Sequence, residues 1–537
     1  TSSLRFLVLV SFYLIFGISS PNDVRNAENT DEEIASISCP SCWKPQTRGR
    51  GLQNPSRRPT PRSSSLQVIC NFFQQSSLSA CRSMTSADYM SPLSSTIPTE
   101  LGLLTQLTRL TFFSSPIQGS IPSTIGQLNN LTFLNFYNLP AIKGIIPTTI
   151  GRLTRLTTLG WTDCKNITGS IPSEMGRLTQ LQYWTLKGSS VRGTIPTTIG
   201  NMRKLLTLEL TENRIAGPIP KSIGKLNIYQ LMLRNNQLSG PIPSSIGSIS
   251  SLMSCDLSYN LLKGKIPSTI AKLTNLRTLY LDKNRLSGVI PTVLSSLPNL
   301  EEFQISQNLF AQTFPSAILQ IKTLRRLDLS NNSLLGIIPP GISSLSAMYY
   351  FDISKNRFTG TLPSEILKLT SLSSIYISRN LITGPLFNGV IDLPYLNDFD
   401  ASENQFIGKL PTGIGSILSL NLGDNKFTGT LPPSLFQSSR LSSLRLFKNK
   451  LTGTIPWFDS LTSISELDLS NNGLTGIFSN NFASLFYLRR ISLFGNNLIG
   501  VFPPAFCERT DLEWNIFRIN CEKLKCECCQ SESGIKC

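Results

Sequence analysis

The sequence predicts an α/β solenoid: a stack of short parallel β-strands joined by a 3-10 or irregular return on the convex side, with about 17 repeats of about 24 residues. Three observations predict it. The dipeptide Ile-Pro, or a close variant, recurs from Pro98 and Pro122 to Pro503 at steps of mostly 23 to 25 residues; Phe387 and Ser479 replace the proline in two units, and one unit shrinks to 21. Between the marks runs the pattern LxxLxLxxNxLxGxIPxxIgxL, as in Leu276, Leu279, Leu281, Asn284, Leu286, Gly288, Ile290 and Pro291. A chain of 537 residues is also too long for one compact core, and its charged fraction of 15% lies below the roughly 25% of ordinary globular domains.

Each position of the unit has a physical task. The LxL alternation is a short strand with its leucines turned into the stack and the intervening residues turned out. Where the chain leaves that strand stands an asparagine: Asn213, Asn236, Asn260, Asn284, Asn308, Asn332, Asn356, Asn380, Asn404, Asn425, Asn449, Asn472 and Asn496. An inward amide there is expected to bond backbone groups of its own and the next coil, forming a ladder that satisfies buried polar atoms. Glycine permits the next bend, proline fixes the return, and the following Ile and Leu close the convex side. One unit cannot bury its apolar face alone, so stability comes from stacked neighbours.

Composition excludes several chemistries. The chain has no histidine, which removes Ser/His/Asp triads, Cys/His pairs and His metal sites. No GxGxxG, Walker or nucleophile-elbow string occurs. The reading is of a non-enzyme with no catalytic residue, no metal and no cofactor. Neighbouring carboxylates such as Asp328 and Asp352 approach glycosidase spacing, but an open strand face implies no perturbing pocket.

The ends differ from the array. Residues 1–20 place Arg5 before the apolar run Phe6 to Ile18 and small residues behind it, the form of a secretory signal peptide; a retained membrane anchor is the alternative. The chain begins with Thr, so the true start is expected upstream. Residues 21–66 form a disordered, basic and proline-rich linker with six positive charges between Lys44 and Arg62. An N-terminal cap is expected over 67–97, the array over 98–503, and a Cys-rich C-terminal cap over 504–537. Cys70, Cys81, Cys507, Cys521, Cys526, Cys528, Cys529 and Cys537 are disulfide candidates in an oxidising compartment, preferred over a thiolate zinc site. Cys164 and Cys255 read as packing.

At the LxGxIP units, such as LSGVIP, LTGTIP and LSGPIP, the sequence resembles the plant-type leucine-rich repeat family over residues 91 to about 503. The units FYNLPAIKGIIP and WTDCKNITGSIP look like those of polygalacturonase-inhibiting proteins and receptor ectodomains. The resemblance implies a right-handed superhelix that binds a protein, peptide or glycan, usually on the concave strand face. Two departures are visible: CPSCW and CNFFQQSSLSAC match the family's amino-terminal cap poorly, and no kinase domain or membrane span follows the array. Signalling would then fall to a separate co-receptor. The ending INCEKLKCECCQSESGIKC is similar to cysteine-rich endings of algal and diatom leucine-rich repeat proteins.

The formal charge of +17 is unevenly placed. Positions on and beside the concave strand hold fourteen acids and ten bases, so that face is about −4 while the rest of the array is about +19. The mid-strand residue runs Asp256, Tyr280, Gln304, Asp328, Asp352, Tyr376, Asp400, a stripe about 30 Å long at about 4.8 Å per coil. We expect it to face outward and to hold a ligand through carboxylates and tyrosines. Asn130, Asn166 and Asn331 are glycosylation sequons. The expected function is extracellular recognition, at the cell wall or cell surface, of a protein, peptide or glycan; the alternative is a structural or inhibitor-like matrix protein anchored to acidic polysaccharide. Scattered basic residues in a secreted chain argue against nucleic acid.

Overall fold

The computed structural model describes residues 65–75, 78–90, 95–413, 417–457, 460–477, 485–501 and, as backbone, 524–525. The apolar run at 6–18, the basic linker and the cysteines from Cys507 onward lie outside the described residues. The chain divides at Arg62 and Ser63, and everything below concerns the second unit.

Two short helices, Ser65–Phe72 and Leu78–Arg82, open it and are joined by a disulfide between Cys70 and Cys81. The strand Ser86–Tyr89 follows and starts a parallel inner sheet of eighteen strands, which advances one coil at a time from Arg109–Phe113 to Arg490–Ser492. After most ladder positions a second strand, such as Arg285–Gly288, adds to a lateral sheet that occurs in several segments. On the return, most of the marked prolines stand just before a five-residue 3-10 turn, as Pro267 does before Ser268–Lys272. Its fixed φ of −69° and its missing donor suit that place. The leucines and isoleucines of all three sides meet in one continuous core.

The asparagine ladder forms, but toward the preceding coil rather than the next. Asn284 donates from Nδ2 to the Leu257 carbonyl at 3.0 Å and to its own Leu281 carbonyl at 3.1 Å, while its Oδ1 accepts from the Leu262 amide at 3.0 Å. Leu257 directly follows the inner strand Ser254–Asp256 and Leu262 lies in a lateral one, so each amide ties the two sheets of the previous coil. The residue before the ladder position is left-handed and in most coils is not glycine, as at Tyr259 (φ 54°) and Lys283 (φ 51°), Gly188 and Gly495 being exceptions; the repeat pattern does not announce this bend.

The first coils are held differently. Ser115, Leu139, Cys164 and Ser189 occupy ladder positions there, and a spine of rings replaces the amides: Phe112 stacks on Phe136 at 5.1 Å and Phe136 on Trp161 at 5.8 Å. Cys164 and Cys255 are free and buried, with the Cys164 thiol pushed up to about 12 by burial; both are packing groups.

Candidate functional site on the inner sheet

The register brings the mid-strand residues together. Asp256 lies beside Tyr280, then Gln304, Asp328, Asp352, Tyr376 and Asp400 follow as direct partners. Because the sheet is parallel with identical strand offsets, one position per coil becomes one continuous row.

The row is recessed. Asp256 and Asp328 are each only 8% exposed. Each aspartate uses Oδ1 to close the turn behind it: the Ser258 amide and hydroxyl donate to Asp256, those of Ser330 to Asp328, those of Ser402 to Asp400, and the Ser354 amide to Asp352. The aspartate of LDLS is therefore a turn-forming residue as well as a surface one, a double role for which the Asp-x-Ser spacing was the available signal. Tyr280 donates to Glu302 at 2.7 Å, and Tyr350 to Asp352 Oδ2 at 3.4 Å.

Most of the inner face's bases are engaged within the protein. Arg326 lies over the Tyr350 ring at 3.6 Å, and Arg234 and Lys283 both lie 4.1 Å from the Tyr259 ring centre. Arg379 pairs with Glu403, Arg445 with Glu466 and Lys448 with Asp424. Among the described residues, the aspartates of the row have no ion-pair partner. The unit thus spends its inner cations on rings and marginal acids and leaves the central carboxylates uncompensated.

The electrostatics follow. Burial, with the charge of Asp328 alongside, raises the Asp352 carboxyl to about 6; burial, with Asp256 nearby, raises Asp282 to about 6. Burial also raises Asp256, and burial plus the bond to Glu302 drives the Tyr280 hydroxyl far above its ordinary range. A cationic group entering the row would meet carboxylates that burial has partly stripped of solvent. Asp282, Glu302, Arg326 and Tyr350 belong to this surface and were not in the sequence-derived row, because they stand two residues to either side of it along the chain.

The sequon asparagines are placed as follows. Asn130 donates to the Thr105 carbonyl and accepts from Arg155; Asn166 donates to the Pro140 carbonyl; Asn331 is exposed at φ 51°, three residues beyond Asp328. Among the described residues no group of side chains is arranged to hold a metal, and no helix is long and apolar enough to cross a membrane.

A coiled stack with an inner strand face, an amide ladder and a lateral sheet defines a class of repeat protein. A family model described as Leucine rich repeat matches residues 226–286 and 274–334, and another, Leucine Rich Repeat, matches 416–438 and 463–485. The chain belongs to the leucine-rich repeat family in its plant-type form. Among solved structures it is similar to the plant peptide hormone receptor RGFR1 in complex with RGF2 (TM-score 0.67, 26% identity, 84% of this chain and 83% of that one). It is also similar to the Arabidopsis receptor kinase HAESA in complex with the peptide hormone IDA and the co-receptor SERK1 (0.66, 30%, 82% and 78%). The PEPR1–AtPEP1 structure gives 0.69 and 27%, over 80% of this chain and 66% of that one. No curated protein sequence matches the chain.

Proposed function

We propose that this chain is a secreted, non-catalytic recognition protein that binds an extended peptide or protein segment along the inner sheet from Asp256 to Asp400. The observation that carries this reading is the continuous, recessed row of aspartates and tyrosines without ion-pair partners. The chemistry favours a ligand with Lys or Arg groups, each held by a carboxylate and flanked by a tyrosine. The similarity to plant receptor structures solved with peptide hormones supports the ligand class. The apolar run at 6–18 supports secretion, and a separate signalling partner would complete the system.

The test keeps the turns and removes the charge. In Asp328→Asn, Asp352→Asn and Asp400→Asn combined, the amide oxygen can still accept from the serine behind it. Calorimetric titration with a panel of extended Lys/Arg-bearing peptides should show binding to the unaltered protein and a loss of about tenfold or more in the triple variant, the range for several charge-assisted bonds. Equal binding by both proteins would remove the inner row from the function.

A further inference from the structure

The outer face of the lateral sheet carries charge of one sign. Between the ladder position and the Ile-Pro-like mark, the seventeen coils hold eleven Lys or Arg and no Asp or Glu. All eleven are exposed, and among the described residues none takes part in an ion pair. Two groups stand out: Lys263, Lys265 and Arg285 on adjacent coils, and Lys409, Lys426 and Lys450 on three successive ones.

Their arrangement is organised by backbone. Lys263 is the direct register partner of Arg285, a like-charge pairing that costs stability unless an anion lies between them. A Cβ on Gly288 would come 2.9 Å from Lys265 Cγ, and one on Gly429 would come 3.4 Å from Lys409 Cγ. These bare glycines are floors over which the aliphatic stem of the preceding coil's lysine runs, carrying its ammonium along the stack. Thr430 and Thr452, direct partners in the second group, add exposed hydroxyls.

We infer that the lateral sheet binds a linear anionic polysaccharide bearing a carboxylate on each sugar, laid along the array. From Lys263 to Lys450 the face extends roughly 40 Å at about 4.8 Å per coil, so a rod-like polymer can reach both groups at once, and neither needs high affinity alone. Exposed Leu309, Leu335 and Ile337 lie between the groups and suit the apolar faces of sugar rings. Among the described residues no aromatic side chain projects from this sheet to stack a base, which disfavours single-stranded nucleic acid. The inference is independent of the inner row, because it concerns another sheet and the opposite charge.

The full chain is tested for binding to immobilised sodium alginate, a linear polyuronate, with a neutral glucan as control. Three proteins are compared: the unaltered chain; a lateral variant with Lys263→Gln, Lys265→Gln, Arg285→Gln, Lys409→Gln, Lys426→Gln and Lys450→Gln; and a variant with the six bases from Lys44 to Arg62 changed to Gln. The unaltered chain should bind at about 0.05 M salt and release by about 0.5 M, where exposed charges are screened. The lateral variant should lose about tenfold or more in affinity and show a flatter salt dependence, while the linker variant changes by about threefold or less. An unchanged lateral variant, absence of alginate binding in the unaltered chain, or binding to phosphatidylserine vesicles in place of alginate would overturn the inference. All six substituted side chains are exposed, and titration of the lateral variant with the inner-row peptides separates a folding defect from loss of this face.

Discussion

Within one coil, Tyr280 ends an inner strand with Asp282 two residues beyond it, and Arg285 opens a lateral strand with Val289 just past its end. Only two residues separate Asp282, which is buried at 8% exposure, from Arg285, which is exposed. The inner Asp256 and Asp352 carboxyls are hydrogen-bonded and shifted upward in pKa by burial; the lateral bases have no ion-pair partner among the described residues. A repeat therefore offers two surfaces that can differ in sign, depth and salt sensitivity while sharing one core. The lesson is that net charge says little about such a molecule: its +17 conceals an inner face that is acidic.

The comparison can be broken at the joint between the sheets. Asn308 bonds the Leu281 carbonyl behind the inner strand and the Leu286 amide in the lateral one. Asn308→Ala leaves these buried groups unpaired and should cost about 3 kcal/mol locally. Hydrogen exchange at the Leu286 amide should accelerate by about a hundredfold; unchanged protection would mean that the amide does not hold the sheets together.

A smaller effect sharpens the electrostatic contrast. The Asp352 and Asp282 carboxyls are raised to about 6, above the roughly 3.9 of an unfolded chain. The native state therefore binds more protons between about pH 4 and 6, and the contribution of these two groups to stability falls as pH rises through that window. Asp352→Asn should flatten the pH dependence and raise the melting midpoint near pH 7 by on the order of 2 °C. Binding of a cationic peptide should run the other way, weakening as pH falls through 6. Polyuronate binding to the lateral sheet should stay level through that window while the polymer remains ionised.

The smallest change probes the lateral floor. Gly288 has φ +82°, and an added Cβ would press on Lys265. Gly288→Ala should cost about 1 kcal/mol through backbone strain and weaken alginate binding by about twofold, leaving peptide binding unchanged.

Much of the fold was legible because a period is a long-range statement. Once the equivalents of Leu279 and Leu281 recur every coil and those of Asn284 in most, their neighbours in space are their own equivalents, and the parallel register follows. The ladder's direction was not legible, since the same asparagine spacing serves a bond to either neighbour. Nor was the aromatic spine of the first coils, where Phe112, Phe136 and Trp161 stand at ordinary core positions. The row from Asp256 to Asp400 was visible as composition, but its depth was not: the serine two residues on folds each carboxylate back against the sheet, and that closure is a matter of turn geometry.

Sequence by itself determined which residues share a surface, because repetition aligns equivalent positions whatever their chemistry. It thereby set the acidic inner row against the basic lateral sheet. Tertiary structure alone decided which charges remain uncompensated. Arg326 turns onto Tyr350 rather than pairing with Asp328, and Lys265 runs over Gly288. Those choices depend on distances of a few ångströms between side chains one coil apart, and no spacing along the chain encodes such distances.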